Sequence, residues 1–192
     1  MIIDPPALDE PSEAVARLYQ ADVDADGYVH RYTQAMALNP QAQDAFVSLV
    51  KAVVASIGIG VYEAATLGAA RAIGSPHCLL AHGHKSLKAG VLDEAGLLGF
   101  AQDEDDGFDE RLQAVVRYAA KLSTDARSMT DADSERLRQY GFDDRQILDI
   151  TLAASLRNHY SRALLALAVP LDDEPLLPPA LASAMLTRAG RG

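Results

Sequence analysis

The segment 147–168 constrains the fold most, because it is apolar on nearly every side of a helix rather than along one stripe. Its large aliphatic side chains are Ile147, Leu148, Ile150, Leu152, Leu156, Leu164, Leu165 and Leu167. A helix of this kind needs cover all round. We therefore expect it in the centre of a helical core or in an interface between subunits.

The rest of the chain predicts the same all-α class. Clusters of β-branched and aromatic residues, which mark strands, are scarce, whereas Ala, Leu, Arg, Glu and Gln are abundant. In 109–123, Leu112, Val115, Val116 and Ala119 recur at the spacing of a buried helical face. A chain of 192 residues suits one domain with a sizeable core. We predict a single-domain helical bundle.

Several helix starts carry capping signals, namely Asn39-Pro40, Thr130 with Asp133, and Asp143 with Gln146. The predicted helices lie near 11–21, 28–38, 40–56, 61–73, 76–90, 109–123, 131–140, 144–168 and 179–189. The acidic stretch 101–107 is predicted to be a solvated loop, and 171–179 to lead into a terminal arm.

Charge and composition narrow the partners. The net charge of -10 repels phosphate backbones and anionic membrane surfaces, so we expect neither nucleic acid nor membrane as a partner. The N-terminus MIIDPPALDE has the features of neither a secretory signal nor a transit peptide, and Glu63 interrupts the longest apolar run. A single cysteine forms no intrachain disulfide, which indicates a reducing, cytoplasmic setting.

The stretch DVDADG at 22–27 resembles the opening of a calcium-binding EF-hand loop through Asp22, Asp24, Asp26 and Gly27. The twelfth position of such a loop supplies a bidentate glutamate, but here it is Thr33. A solvated acidic turn is therefore the favoured interpretation.

The only cysteine lies in GSPHCLLAH, residues 74–82. Ser75 and Pro76 form a typical helix start, which places His77 and Cys78 in the first turn, where the positive end of the helix dipole favours a thiolate. His82 follows Cys78 by four residues on the same face and could accept the thiol proton directly or through a water.

Glu63 is the third residue of this candidate site. The residues around it predict a largely buried helix, and a buried carboxylate needs a partner. Simpler interpretations remain for each residue: Cys78 as a small core residue, His82 as a packing residue, and Glu63 paired with Arg71 or Arg162. His77 and His84, seven residues apart, could share a different and solvated face.

The stretch YEAATLGAARAIGSPHCLLAHGHKSLKAG resembles the core motif of alkylhydroperoxidase D-like proteins, in the carboxymuconolactone decarboxylase superfamily. Glu63, Cys78 and His82 match the motif's glutamate, second CxxC cysteine and histidine, and His77 matches a histidine that some members carry. Ser75 occupies the position of the first cysteine. A chain with this replacement keeps the fold but cannot form the motif's disulfide.

The resemblance extends over most of 27–170, most closely to the peroxidase-related branch, and leaves 1–26 and 171–192 as an N-terminal and a C-terminal arm or helix. Asn158 and Arg162 fall on that branch's Asn-x-x-Asn-Arg pattern, with Ser161 in place of the second asparagine. The resemblance implies the alkylhydroperoxidase D-like bundle and a homo-oligomer, either a dimer or a ring of dimers.

The implied function is hydroperoxide reduction, in which Cys78 attacks and Glu63 and His82 relay the proton, with no cofactor and no metal. An external thiol restores the sulfur, or a second copy of Cys78 does so across an oligomer interface if the subunits bring the two close. Three alternatives stay open. The first is cofactor-free acid-base chemistry of the decarboxylase type, with Glu63, His77 and His82 handling protons. The second is a non-catalytic binding or assembly protein. The third is a metal site at Glu63, Cys78 and His82.

Overall fold

The computed structural model describes residues 1–173 and 176–190. Within these ranges the chain forms nine α-helices, one short 3-10 turn and no strand, which confirms the all-α prediction. The helices are α1 Glu13–Asp26, α2 Arg31–Met36, α3 Pro40–Ile73, α4 Pro76–Lys88, α5 Glu94–Ala101, α6 Glu110–Asp125, α7 Asp131–Gln139, α8 Asp144–Ala166 and α9 Pro179–Ala189.

Helix α3 is 34 residues long but is broken at Gly58, whose φ of 78° lies in the left-handed region that glycine tolerates best. The sequence predicted two helices, 40–56 and 61–73, and the break falls between them. By length and composition alone, α3 could cross a membrane. The core helix of a soluble protein shows the same pattern, so the expectation of no membrane partner stays a prediction.

The C-terminal half of α3 forms the centre of the core. Every residue from Val61 to Arg71 is buried, and this segment packs against α6 and α8. A Cβ atom on Gly68 would lie 2.5 Å from the carbonyl oxygen of Val116, so only glycine allows α3 and α6 to approach this closely. Glu63 therefore lies in the most tightly covered part of the molecule.

Helix α8 is covered on one side only. Ile147, Ile150 and Leu164 are buried, whereas Leu148 is 56% exposed and Leu165 is 43% exposed. Central burial explains only half of the apolar segment 147–168. For the exposed half, the other expectation for this segment, an interface between subunits, stays a prediction.

Both capping boxes form, and the Asn39 side chain caps α3 as its sequence predicts. Helix α5 was missed because Gly96 and Gly99 weaken its helical signal. The stretch 101–107 is not wholly solvated, since Asp105 forms an ion pair of 2.8 Å with buried Arg71.

Helix α9 packs against α4 and α5, and buries Leu181 and Met185 in the main core. Of the predicted segment leading to it, 171–179, residues 174 and 175 lie outside the described residues.

Candidate functional site

A cleft of about 390 Å³ lies beside the start of α4. Its polar wall includes Glu63, Cys78 and His82, so the structure brings the three predicted residues to one cavity. Its apolar wall comes mainly from the N-terminal half of α3 and consists of Phe46, Val47, Val50, Val54 and Ile59, with Leu164 from α8. The cleft has the mixture of an apolar body and a few polar groups that is common in small-molecule sites.

Cys78 lies in the first turn of α4 and is 2% exposed. Two side chains of α8 donate hydrogen bonds to its sulfur: Arg157 Nη1 at 3.4 Å and Ser161 Oγ at 3.1 Å. Because Arg157 and Ser161 are four residues apart, one face of α8 presents both donors. The sulfur's hydrogen-bond partners thus come from α8, and the described residues include no hydrogen bond from Cys78 to His82.

Arg157 is 5% exposed, so its charge is almost fully removed from water. Its Nη2 donates to the Tyr62 hydroxyl at 3.4 Å, and its guanidinium carbon lies 5.6 Å from the centre of the Tyr160 ring. Burial opposes the charged form, but Cys78 and Tyr62 outweigh it and raise the pKa of Arg157 above its ordinary value. The site therefore contains a permanent buried cation.

Glu63 and His82 form a buried pair, with His82 Nδ1 donating to Glu63 Oε2 at 2.7 Å. Burial opposes ionisation of Glu63, but the charge and hydrogen bond of His82, with Arg157 further away, leave its pKa lowered. Burial, followed by Arg157, lowers the pKa of His82 to about 4, against the opposing effect of Glu63.

These directions describe an ionised carboxylate beside a neutral imidazole at neutral pH. The proton on Nδ1 is held by Glu63, so Nε2 carries the lone pair. Among the described residues, Nε2 has no hydrogen-bond partner. His82 can accordingly accept a proton at Nε2 while Glu63 stabilises the resulting cation.

Two predicted supporting residues occupy unexpected environments. Ser75 stands at the N-cap of α4, but its hydroxyl caps nothing and, within the described residues, this buried oxygen has no partner. His77 is buried, not solvated, and its Nε2 donates to the Val169 carbonyl at 2.8 Å. Burial lowers the pKa of His77, which lines the cleft without bonding to Cys78.

The pairing of Glu63 with Arg71 or Arg162 is wrong, because Arg71 binds Asp105 and Arg162 donates to the Ser123 carbonyl. Sequence analysis missed Arg157. The available signal was a charged residue inside a helix predicted to be buried, the same signal that identified Glu63.

The DVDADG stretch is neither a loop nor fully solvated, since it forms the end of α1. Asp26 and Asp172 each accept a hydrogen bond from one ring nitrogen of buried His30, at 3.0 and 2.9 Å, and Asp22 accepts from its backbone amide. Burial opposes the charge on His30, but Asp172 and Asp26 leave its pKa raised.

The histidines, cysteine and acidic residues of the described part of the chain include no group of three or more that could hold a metal ion. At the predicted site, Glu63 Oε2 and His82 Nδ1 already bind each other.

No protein-family model matches the chain, and no curated protein matches it. Several solved structures do. One is an uncharacterized peroxidase-related protein from Ralstonia eutropha JMP134 with an alkylhydroperoxidase AhpD core, 20% identical with a TM-score of 0.74, covering 90% of this chain and 92% of that one. Another, from Silicibacter sp. TM1040, is also peroxidase-related, 23% identical with a TM-score of 0.76, covering 91% and 93%.

The debrominase Bmp8 is a third structural neighbour, 16% identical with a TM-score of 0.73, covering 96% of each chain. A cysteine-to-alanine variant of Bmp8, solved with 2,3,4-tribromopyrrole, matches with a TM-score of 0.70 at 17% identity, covering 97% of this chain and 100% of that one. The neighbours confirm the predicted fold: this chain is a helical bundle of the alkylhydroperoxidase D-like type.

Proposed function

We propose that this protein reduces hydroperoxides through Cys78, with Glu63 and His82 moving the proton. The observation that carries the proposal is the cleft, which places one sulfur with two hydrogen-bond donors in the same cavity as a neutral histidine held by a carboxylate. Structural neighbours that are peroxidase-related proteins support the same reading.

In the proposed step, Cys78 reacts as a thiolate, and His82 Nε2 takes the proton of the bound hydroperoxide directly or through a water. The thiolate attacks the terminal oxygen of the hydroperoxide, an S–O bond forms and the O–O bond breaks. The leaving alkoxide takes that proton from His82 and departs as an alcohol. Cys78 is left as a sulfenate, the ionised form of a sulfenic acid.

The reductant in this proposal is a small external thiol. The chain has one cysteine, and at 2% exposure its sulfur lies too deep to meet the same residue of a second subunit. One thiol condenses with the sulfenic acid to give water and a mixed disulfide, and a second releases Cys78 with formation of a disulfide between the two small molecules. The cleft of about 390 Å³ has room for such a thiol.

Mass spectrometry after one equivalent of cumene hydroperoxide, with dimedone as a sulfenic acid trap, tests the first step. We expect one dimedone adduct on Cys78 and none in the Cys78→Ser variant. A thiol that stays unmodified under these conditions, and also when the hydroperoxide is raised to an excess, rules the proposal out.

A steady-state assay with several thiol donors tests the second step. It should include the Ser75→Cys variant, which restores the motif's second cysteine. Faster turnover in that variant would show that the natural chain lacks only a second thiol. Equal turnover would indicate that an external thiol already does this work.

Acid-base chemistry is the second candidate function, favoured by the neutral His82 with an available Nε2 beside an ionised carboxylate. The Cys78→Ser variant separates the two functions, because proton transfer to and from a small carboxylated substrate survives loss of the sulfur and hydroperoxide reduction does not. A chain inactive in both assays would be a non-catalytic member of the fold.

Because Bmp8 is a debrominase, brominated pyrroles are a second class of electrophile to offer Cys78. The cleft's apolar wall would suit an aromatic ring. If bromide release requires Cys78 and hydroperoxides do not react, the nucleophile Cys78 acts on brominated pyrroles instead of hydroperoxides.

We also propose that the protein is a homo-oligomer. Four large apolar side chains are each more than one-third exposed, and a second copy could cover them: Leu49 and Ile59 of α3, and Leu148 and Leu165 of α8. Light scattering coupled to size exclusion measures the mass directly, and a monomer at micromolar concentration would contradict the proposal.

A further inference from the structure

Arg157 is a buried cation that forms no ion pair with a carboxylate in the described part of the chain. Its hydrogen bonds go to Cys78 Sγ and to the Tyr62 hydroxyl, and its Nε has no partner within the described residues. An unpaired charge in the interior is strongly unfavourable, so a buried guanidinium needs an anion close by.

Four neighbouring groups could supply that anion. Burial raises the pKa of Tyr160, so its phenol is neutral. Glu63 is ionised, but its carboxylate binds His82 and affects Arg157 through its charge at a distance, without a hydrogen bond. Tyr62 and Cys78 are both in contact with Arg157. Of these two groups, a thiol is the stronger acid, so the sulfur of Cys78 is the better candidate for the anion.

The second donor supports the same assignment. Ser161 is fully buried and directs its hydroxyl to Sγ at 3.1 Å. A neutral thiol is a weak acceptor, whereas a thiolate accepts several hydrogen bonds strongly. Two donors from one helix face on a single sulfur are the arrangement expected around an anion.

We infer that Arg157 is a catalytic residue, which with Ser161 holds Cys78 as a thiolate. The anion at the start of α4 is then stabilised chiefly by side chains of α8, and the α4 dipole adds a smaller contribution. The thiolate does not depend on the proposed function. Only the extension of this role to hydroperoxide attack rests on it.

The same contacts suit the oxidised sulfur. When attack adds oxygen to Sγ, Arg157 and Ser161 remain within reach of the new S–O group. Charge-assisted donors stabilise a sulfenate there and hold it in place for the reducing thiol. Arg157 would thus serve both halves of the cycle without moving.

The test measures alkylation of Cys78 by iodoacetamide as a function of pH, because only the thiolate reacts. In Arg157→Gln we expect the rate at neutral pH to fall at least about tenfold, corresponding to about 1.4 kcal/mol. The rates of the variant and the wild type should converge at alkaline pH, where both thiols ionise. Ser161→Ala should fall by less, roughly two- to fivefold.

Arg162→Gln is the matched control, since Arg162 lies on the same helix but donates to the Ser123 carbonyl and is exposed. It should alkylate like the wild type. A structural role for Arg157 predicts a different result, in which the variant's rate changes equally at every pH. That pattern, or an unchanged profile in Arg157→Gln, overturns the inference.

Should Arg157→Gln fail to fold, the wild type alone still decides the question. The thiolate absorbs ultraviolet light that the thiol does not, so its fraction can be followed against pH in the native and the urea-unfolded protein. We expect the native sulfur to ionise at lower pH than the unfolded one, and the opposite order refutes the inference. If alkylation behaves as expected but hydroperoxides leave Cys78 untouched, the proposed function fails and Arg157 keeps its role.

Discussion

Two buried histidines in this molecule bind carboxylates and yet are expected to carry opposite charge. His82 donates one hydrogen bond, to Glu63, and its pKa is lowered to about 4. His30 is equally buried, but both of its ring nitrogens bind carboxylates, those of Asp26 and Asp172, and its pKa is raised. Both side chains are almost fully hidden from solvent and burial opposes the charge on each, so solvent exposure alone does not decide the charge.

The number of anions and the nearest cation decide it. At His82 a single carboxylate competes with burial and with Arg157, and the imidazole stays neutral. At His30 two carboxylates outweigh burial, and two acceptors can be satisfied only if both nitrogens carry a proton. One histidine keeps a free lone pair for chemistry, while the other is fully occupied and ties α1 to the segment before α9.

The largest expected effect comes from a substitution that removes the negative charge of the Glu63–His82 pair and keeps the shape of the side chain. In Glu63→Gln the amide oxygen can still accept from His82 Nδ1, but no carboxylate stabilises a protonated His82. We expect hydroperoxide turnover to fall by roughly 10²- to 10⁴-fold, the usual contribution of a general acid-base group. Steady-state kinetics measures it, with circular dichroism to check the fold.

Asp172→Asn makes the matching change at the second site, formed by His30, Asp26 and Asp172. We expect it to leave turnover near the wild-type value. Equal loss in both variants would mean that the two carboxylate–histidine sites act alike on the reaction. Full turnover in Glu63→Gln would reduce Glu63 to a packing partner.

The sequence predicted the site of Glu63 and His82 much better than the site of His30. Glu63 in an apolar helix announced a buried carboxylate, and the spacing of Cys78 and His82 placed both on one face of α4. Both signals are local. Which groups meet across helices is not local: Arg157 reaches a sulfur 79 positions earlier in the chain, and periodicity contains no information on such contacts.

The sequence did not reveal the site around His30, because acidic runs usually predict solvated turns. Asp26 and Asp172 are 146 positions apart, and nothing near either residue shows that one imidazole joins them. The fold was predictable because helix periods and caps are local signals, like those that identified Glu63, Cys78 and His82. Helix α5 was missed for a local reason too, since its two glycines weaken the helical signal.

The site around His30 should have its largest effect on the stability of the protein. Glutamine is uncharged and has both of its donors on one nitrogen, so in His30→Gln it cannot replace the two separate ring nitrogens that bind Asp26 and Asp172. We expect a loss of about 1–3 kcal/mol in the free energy of unfolding, the typical penalty for buried polar groups left unpaired. Urea denaturation gives the value. The partly exposed His84 provides the control, and His84→Gln should change the free energy of unfolding by no more than about 0.5 kcal/mol.

The smallest expected effect is the pH dependence of stability. It is also the most direct comparison of His30 with His82. The pKa of His30 is raised in the folded protein, so its contribution is complete below the unfolded value of about 6.5 and is lost as the pH rises through the folded pKa. The stability difference between wild type and His30→Gln should therefore shrink as the medium becomes alkaline.

His82 gives the opposite slope. Its pKa is lowered to about 4, so between about 6.5 and that value the unfolded chain takes up a proton that the native protein refuses. The wild type should therefore lose stability relative to His82→Gln as the pH falls through this window, by at most about 1.4 kcal/mol per pH unit. Urea denaturation of the three proteins from about pH 5 to about pH 9 measures both slopes. Slopes of the same sign would mean that both imidazoles share one charge state, and the division between a reactive and a structural histidine would then be wrong.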